Sequence, residues 1–359
     1  MNKYSNKLIE NFPDYLFNKI NEQKLNLRQT GEDIIDLGYG NPDIPSHELV
    51  VQKLIESAQI KKNHKYSVSK GIHGLRNAIS KKYLREYGIN LDPGRNIVNT
   101  IGSKEGLTHL LMSVINKGDN VIVQDPSYPI HHYAPLIAGA NVIKIECLSI
   151  DGFMNNLKKS LKNEKVKVVL ISFPHNPTTL TVNQEFYDEL VELAKIYNFL
   201  LINDFAYSDI YFNEVKPPSL LKSDPELEHC VELYSLTKGY SMAGWRVGFA
   251  IGNENAITSL TKLKSYIDYG TFQPIQIAST VAINDLDDYP KEVSSIYSER
   301  RLLATEYLTK YGFEVQESTA TMFVWAKLPK KYNNDSMKFS IDLLSKSNAA
   351  VSPGLGFGK

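Results

Sequence analysis

One lysine, Lys238, lies in the stretch of this chain best suited to chemistry, SLTKGYSMAGWRVGF. Most lysines are solvated surface groups, but this one follows a β-rich run. It has hydroxyl side chains one and three residues before it, and Arg246 follows eight residues later. A lysine amine can act as a nucleophile that forms a Schiff base, and the planar fork of an arginine binds phosphate. The segment therefore predicts a site that combines a reactive amine with an anion.

Three other segments place polar residues where a predicted strand ends. Gly102 and Ser103 open a helical stretch, where free N–H groups suit a phosphate, although a simple serine N-cap is the better explanation of this pair taken alone. Asn176 lies between two prolines, which indicates either an aimed amide or an ordinary turn. Asp204 follows a mainly apolar run and needs a cation, a helix end or a ligand N–H, unless it serves a structural ion pair.

The elements that must position these residues alternate between β-rich runs and helical segments from about residue 91 to residue 252. In one helix Leu107, Leu110, Leu111 and Val114 fall at i, i+3, i+4 and i+7. Nearly continuous apolar runs such as VKVVLISF indicate burial on both faces of a sheet. The pattern predicts an α/β fold with a mostly parallel sheet, whose ligands bind at the carboxyl ends of the strands. The seven predicted strands are 96–100, 120–123, 142–146, 166–173, 199–203, 231–236 and 247–251.

After residue 252 helical stretches dominate, including a long charged one near residues 289–311. Two short strand candidates follow at 313–316 and 322–328, which favours a smaller α+β domain completed by the N-terminal residues. We therefore expect an N-terminal arm in residues 1–40 that forms part of the small domain, a large domain in 41–275 and a small C-terminal domain in 276–359.

The composition argues against several classes of protein. The 359 residues carry 40 basic and 40 acidic side chains, so the net charge of zero argues against nucleic acid or an anionic membrane as the main partner. Cys147 and Cys230 are too few for a disulfide framework and lie outside metal-ligand spacings, so we expect two buried thiols and no metal site. The N-terminus has no apolar stretch typical of a signal peptide, and no run of ~18 apolar residues suggests a membrane span. We expect a cytoplasmic protein.

Taken together, these segments resemble the fold-type-I, pyridoxal-phosphate-dependent class I and II aminotransferases. The resemblance rests on the Lys238 segment, on Asn176-Pro177-Thr178, on Asp204-x-x-Tyr207 and on Tyr66 ahead of GIHGLR, and it covers essentially the whole chain in order. GSKEGL, DYGTF and KGYSMAGWRVGF are most similar to the branch of alanine (glutamate–pyruvate), LL-diaminopimelate and aspartate aminotransferases. The resemblance implies a large cofactor domain built on a mostly parallel sheet and a smaller α+β domain formed from both chain ends.

The resemblance also implies the catalytic residues. Lys238 would bind pyridoxal phosphate covalently and then move a proton between the substrate carbon and the cofactor. Asp204 would keep the pyridine nitrogen protonated, which makes the ring an electron sink. Asn176 and Tyr207 would hydrogen-bond the phenolic oxygen of the cofactor. A desolvated lysine beside cationic groups has its pKa lowered enough for this work.

Further positions are implied as binding residues. Ser235 and Arg246 would bind the cofactor phosphate, and Ser103 with Lys104 would form its backbone cradle. Tyr128, in DPSYP, would stack on the cofactor ring.

Two positions would extend the site. Tyr66 would reach the phosphate of a neighbouring subunit, which implies a homodimer with shared active sites. Gly40, in GYGNP, would lie with Asn176 near the carboxylate of the substrate, an amino acid or a 2-oxo acid.

The sequence departs from the family pattern in two places. Thr179 follows Asn-Pro-Thr where many relatives carry glycine, and we expect a small local effect. Relatives continue for several dozen residues past the position of Lys359, and that tail carries an arginine that grips the substrate carboxylate. The last arginine here is Arg301, so we expect that the sequence is truncated. His131 and His132 are adjacent, and we expect loop residues near the mouth of the pocket.

The favoured reaction is a two-step transfer between alanine/pyruvate and glutamate/2-oxoglutarate. The alternatives are an aspartate or LL-diaminopimelate aminotransferase and a β-eliminating lyase, which would share almost all cofactor residues. Outside enzymes, the alternative is a catalytically impaired remnant that lacks the carboxylate-binding arginine.

Overall fold

The computed structural model of this chain describes residues 4–10, 12, 17–38 and 40–358. Tyr39 and parts of the predicted N-terminal arm lie outside the described residues. The helices are α1 (Lys7–Glu10), α2 (Phe17–Gln29), α3 (Glu48–Ala58), α4 (His73–Tyr87), α5 (Ser103–Val114), α6 (Pro129–Ile137), α7 (Ile150–Asn163), α8 (Gln184–Tyr197), α9 (Glu254–Ile267), α10 (Gln273–Asp285), α11 (Tyr289–Lys310) and α12 (Ser336–Ser347). The strands are β1 (Ile35–Asp36), β2 (Ile97–Thr100), β3 (Asn120–Asp125), β4 (Asn141–Glu146), β5 (Val166–Ile171), β6 (Leu200–Asp204), β7 (Cys230–Ser235), β8 (Gly248–Gly252), β9 (Glu314–Val315), β10 (Ala326–Lys327) and β11 (Ala349–Ala350).

The central element is a seven-stranded sheet with the strand order β2-β8-β7-β6-β5-β3-β4. Strands β3 to β7 pair in parallel, and β8 runs antiparallel to both of its neighbours. All seven predicted strands are present, with ends within two residues of the predicted ones. The predicted α/β fold with a mostly parallel sheet is confirmed.

Helices cover both faces of this sheet. On one face Leu107, Leu110 and Leu111 of α5 are fully buried together with Leu260 of α9, as the helical spacing predicts. On the other face the core is formed by α4, α7, α8 and α10, with Leu190 of α8 at its centre. The sheet is therefore dry on both sides, which explains its nearly continuous apolar strands.

The chain ends meet in a separate small layer. Ile35 of β1 pairs in parallel with Ala349 of β11, and Ile20 and Leu344 are buried beside this pair. Strands β9 and β10 form an antiparallel pair beyond the long helix α11. The domain boundaries at residues 40 and 275 stay a prediction. No helix among the described residues is both long and apolar enough to cross a bilayer.

The sheet brings one end of many strands to a single edge. Strands β2, β3, β5, β6 and β7 end there, so the segments that carry Ser103, Tyr128, Asn176, Tyr207 and Lys238 start from one edge. Because β8 is antiparallel, its first residue lies at the same edge, and Arg246 comes two residues before it. The reversed strand thus places the arginine next to groups that follow parallel strands.

Candidate active site

Close backbone packing builds an anion cradle at the start of α5. Gly102 is the N-cap of this helix with φ +79°, and a Cβ at this position would overlap the guanidinium of Arg246. Gly248 also lacks space, since a Cβ there would lie 2.8 Å from the backbone N of Ser103. The first N–H groups of a helix have no intrahelical partners and lie at the positive end of its dipole. This corner can therefore bind an anion between Arg246 and α5.

Ser235, the last residue of β7, lies beside the same corner. It pairs with Gly248 across the sheet, and its hydroxyl donates to the Thr237 hydroxyl at 2.7 Å. The Thr237 N–H donates back to Ser235 Oγ at 3.1 Å. These bonds fix the turn that leads from β7 into Lys238.

Lys238 is half-buried, and its amine points towards the loop that contains Gly40. The Nζ donates to the Gly40 carbonyl at 2.7 Å and lies 5.7 Å from the centre of the Tyr207 ring. Burial, with a smaller effect of the Arg246 charge, lowers the pKa of Lys238 to about 8. A substantial neutral fraction near neutral pH is what a nucleophilic or basic lysine requires.

Asp204 ends β6 and is held by a histidine. Its Oδ2 lies 2.9 Å from Nε2 of His131, and its backbone carbonyl accepts from the Ser172 hydroxyl at 3.0 Å. Its other carboxylate oxygen, Oδ1, is buried with no hydrogen-bond partner among the described residues. The carboxylate can therefore accept one further hydrogen bond from a bound group.

The prediction that His131 and His132 are loop residues at the pocket mouth is wrong. Both side chains are buried in α6. This helix begins at Pro129, because proline is well suited to the first position of a helix. His132 bonds with the Gln124 carbonyl at 2.9 Å, and burial lowers the pKa of its ring. The contact of His131 with Asp204 was not predicted from the sequence. The position of His131 three residues after Tyr128, in a helix opened by proline, was the available signal.

Asn176 and Tyr207 meet at the same edge of the sheet. Burial and the nearby Asp204 charge raise the pKa of Tyr207 well above its usual value, and the Asn176 side chain acts in the opposite direction. Tyr207 also packs edge-on against Phe323 at 5.2 Å. The Asn176 Oδ1 is buried with no partner among the described residues. This pair offers a hydroxyl and an amide to the same bound group.

Tyr128 and Lys104 form the opposite side of the site. The Lys104 Nζ lies 5.4 Å from the centre of the Tyr128 ring, which in turn packs edge-on against His131 at 6.0 Å. The Tyr128 ring is therefore held between the start of α5 and the histidine that bonds Asp204.

Tyr66 is the predicted site residue that the structure does not bring to this group. Its side chain is 85% exposed and packs on Tyr269 with ring centres 4.7 Å apart. Gly40, by contrast, lies at the site through its bond with Lys238, and a Cβ there would lie 2.9 Å from the Phe323 ring.

Thr179 has a larger local effect than the sequence analysis expects. Its φ is +65°, a left-handed conformation that a β-branched residue rarely adopts, and its buried Oγ1 lacks a partner among the described residues. Its N–H donates to the His175 carbonyl at 2.9 Å, which closes the turn around Asn176. The strained residue thus lies in the loop that positions a site residue.

The fold and the site together give an α/β protein that places a lysine with a lowered pKa, a partnered aspartate and a corner suited to an anion at the carboxyl edge of its sheet. Residues 32–359 match the sequence profile of the family described as aminotransferase class I and II. The chain belongs to this family and is an aminotransferase.

Individual relatives cover nearly the whole chain. It is 41% identical to a putative aminotransferase, AatC, of Rhizobium meliloti, over 98% of this chain and 87% of that protein. It is 40% identical to the glutamate-pyruvate aminotransferase AlaC of Escherichia coli, over 98% and 86%. It is 36% identical to an LL-diaminopimelate aminotransferase of Natranaerobius thermophilus, over 98% and 91%.

Solved structures agree with the fold. Substrate-bound BacF of Bacillus subtilis has a TM-score of 0.92 at 29% identity and matches 99% of this chain and 90% of that chain. A mutant aspartate aminotransferase of Thermus thermophilus has a TM-score of 0.91 at 25% identity and matches 98% and 92%. The family resemblance stated from the motifs is thereby confirmed, and with it the pyridoxal phosphate cofactor.

The residues present fit pyridoxal phosphate. The cofactor has a pyridine nitrogen, a phenolic oxygen and a phosphate. The structure presents a partnerless Asp204 oxygen, the Asn176–Tyr207 pair and the corner between Arg246 and α5. The buried Asp204 oxygen without a partner would otherwise be costly, which favours a group that supplies a donor to it, as a protonated ring nitrogen does.

Proposed function

We propose that this enzyme passes an amino group from an amino acid to a 2-oxo acid in two successive half-reactions. The observation that carries the proposal is the convergence of a lysine with a lowered pKa, the Asp204–His131 pair and the anion cradle on one edge of the sheet. When bound, pyridoxal phosphate supplies a ring that stabilises negative charge at the substrate α-carbon.

The side chains of this chain then divide the remaining work. Arg246, Ser235 and the backbone of Ser103 and Lys104 would hold the phosphate, and Tyr128 would pack on the ring. Asp204, oriented by His131, would keep a proton on the ring nitrogen, since a buried ion pair of this kind is less screened than one in water. The Asn176 amide N–H and the Tyr207 hydroxyl would donate to the ring oxygen. The Lys238 amine would accept a proton from the substrate α-carbon and deliver it to the cofactor carbon that is joined to the amino nitrogen, which its pKa of about 8 permits.

For substrates, we propose alanine with pyruvate and glutamate with 2-oxoglutarate. The support is the 40% identity to a glutamate-pyruvate aminotransferase. LL-diaminopimelate aminotransferases at 35–37% identity and an aspartate aminotransferase of the same fold support the alternatives. A β-eliminating lyase would use the same cofactor residues, so only products separate it. A cytoplasmic location remains a prediction.

The test compares amino donors with 2-oxoglutarate as acceptor and measures the 2-oxo acid formed. We expect pyruvate from alanine at a higher kcat/KM than the products from aspartate or LL-diaminopimelate. Two half-reactions also predict parallel lines in double-reciprocal plots. Ammonia and pyruvate released from a β-substituted amino acid without an acceptor would favour the lyase instead.

The Lys238→Ala variant tests whether Lys238 is the lysine that binds the cofactor. It should lose the visible absorption band that pyridoxal phosphate acquires on binding to a lysine amine, and it should lose turnover with every donor. A variant that kept this band would show that another lysine holds the cofactor and would contradict the proposal.

We also propose a homodimer with active sites that share residues. An aromatic and aliphatic surface supports this, because Tyr66 and Tyr266 are each 85% exposed beside Val68 and Tyr269. Sedimentation should show a dimer. Mixing inactive Lys238→Ala with inactive Tyr66→Ala subunits should regain up to about a quarter of wild-type activity, since half of the dimers are mixed and carry one intact site. No recovery from subunits shown to exchange would contradict shared sites.

A further inference from the structure

A buried lysine outside the site joins two segments that the proposed function uses. Lys264, near the end of α9, has a fully buried side chain, and its Nζ lies 3.0 Å from Glu105 Oε1 and 3.0 Å from Asp268 Oδ2. His109 Nδ1 lies 2.5 Å from the same Glu105 oxygen. Glu105, His109 and Asp268 are the only cluster of metal-ligand type among the described residues, but an ammonium already lies between the two carboxylates. We call Lys264, Glu105 and Asp268 the ion triad.

The Glu105 side of the triad fixes the anion cradle. Glu105 is in the first turn of α5, and its second oxygen, Oε2, accepts from the backbone N–H of Ile101 at 2.7 Å. This bond spans Gly102, the residue whose bare backbone leaves space for the Arg246 guanidinium. The position of Glu105 therefore sets the position of the cradle, in the manner of a capping box that reaches back over the start of a helix.

The Asp268 side of the triad fixes the exposed aromatic segment. Asp268 Oδ1 accepts from the Gly270 N–H at 2.6 Å, and its carbonyl accepts from the Ser69 hydroxyl at 2.9 Å. These two bonds flank Tyr269, which packs on Tyr66. The position of Asp268 therefore sets the surface on which Tyr66 is displayed.

We propose that Lys264 is a positioning residue that holds the anion cradle and the Tyr66 surface in register through the two carboxylates of the ion triad. The proposal rests on the proposed function, in which the cradle binds the cofactor phosphate and the Tyr66 surface meets a second copy of the chain. Removing the ammonium leaves each carboxylate as a buried charge without its cation, and each side chain then turns towards water. Both segments lose their common support.

The test uses double substitutions that distinguish the Glu105 side of the ion triad from the Asp268 side. Lys264→Met removes the cation. Adding Glu105→Gln removes the unpaired buried charge on the cradle side, while the glutamine oxygen can still accept from Ile101. Adding Asp268→Asn instead does the same on the aromatic side. Lys262→Met, at an exposed position of the same helix, is the matched control.

Two measurements report on the anion cradle and on the Tyr66 surface separately. Cofactor binding is titrated with pyridoxal phosphate and with pyridoxal, which lacks the phosphate, at a protein concentration at which sedimentation shows a dimer. Self-association is measured by sedimentation of each variant without cofactor. A general loss of structure would weaken both ligands equally, whereas a displaced cradle weakens only the phosphorylated one.

For Lys264→Met we expect the Kd for pyridoxal phosphate to rise at least about tenfold, with pyridoxal unchanged and a weaker dimer. The double variant Lys264→Met/Glu105→Gln should regain pyridoxal phosphate binding but not the dimer. The double variant Lys264→Met/Asp268→Asn should regain the dimer but not pyridoxal phosphate binding. Equal losses for both ligands, or wild-type behaviour of Lys264→Met, would overturn the proposal. A wild-type chain that binds no pyridoxal phosphate or stays monomeric would instead refute the proposed function.

Discussion

The cradle at α5 makes a quantitative prediction for Gly102→Ala. Gly102 has φ +79° and ψ 161°, a region that is essentially restricted to glycine, so an alanine there costs about 1–3 kcal/mol of folding free energy. The new methyl group also displaces the Arg246 guanidinium from the corner that it shares with Ser103.

The effect on the cofactor follows from that displacement. A charge-assisted hydrogen bond contributes about 1.5–3 kcal/mol, and each 1.4 kcal/mol is a factor of ten in affinity. We therefore expect the Kd for pyridoxal phosphate to rise roughly 10- to 150-fold. Pyridoxal should bind Gly102→Ala as it binds the wild type, because it makes no phosphate contact.

The assay titrates the cofactor-free protein with each ligand and follows the visible absorption of the bound form. Gly74→Ala is the control, since Gly74 lies within α4 and a Cβ there meets open space. It should raise the unfolding free energy by up to about 1 kcal/mol and leave both Kd values unchanged. If Gly102→Ala binds pyridoxal phosphate as tightly as the wild type, Arg246 does not hold the phosphate from this position.

Two further predictions follow from the site. Pyridoxal should attach to the cofactor-free protein at a rate that rises with pH around a midpoint near 8, because burial lowers the pKa of Lys238 and the neutral amine is the reactive form. Stopped-flow absorbance measures this rate. A midpoint near 10.5, the pKa of an ordinary lysine, would contradict the prediction. Thr179→Gly should raise the unfolding free energy in urea by about 0.5–1 kcal/mol, since it relieves left-handed strain and removes a hydroxyl without a partner. Thr178→Gly, which loses a 2.6 Å bond with His175, should lower the unfolding free energy in the same assay, and equal effects of the two changes would refute the strain argument.

The sequence predicted much of the sheet because its strands are short apolar runs separated by helical periods. It did not predict the direction of β8, since an apolar run has no directional signal. The twelve residues between β7 and β8 were the available clue, because a crossover between parallel neighbours takes a dozen or more residues and usually contains an α-helix, and this segment contains none.

The site residues that could be predicted are those whose chemistry and strand-end position are visible in one short segment, such as Lys238 and Asp204. The residues that support them could not be found in this way. His131 meets Asp204 across 73 residues, and Lys264 meets Glu105 across 159. Such contacts depend on how strands are ordered in the sheet, which no local pattern encodes.

The pairing of β1 with β11 also sets the order of events during synthesis. The two strands are 314 residues apart, and Ser352 bonds across the same distance to the carbonyl of Gly38. Closing so long a loop costs roughly 5 kcal/mol of chain entropy, which is offset once the sheet between the ends has formed. On the ribosome, the buried face of α2 around Ile20 therefore lacks its Leu344 and Ala350 partners until those residues have emerged. Throughout that interval the nascent chain exposes apolar surface that a chaperone can bind.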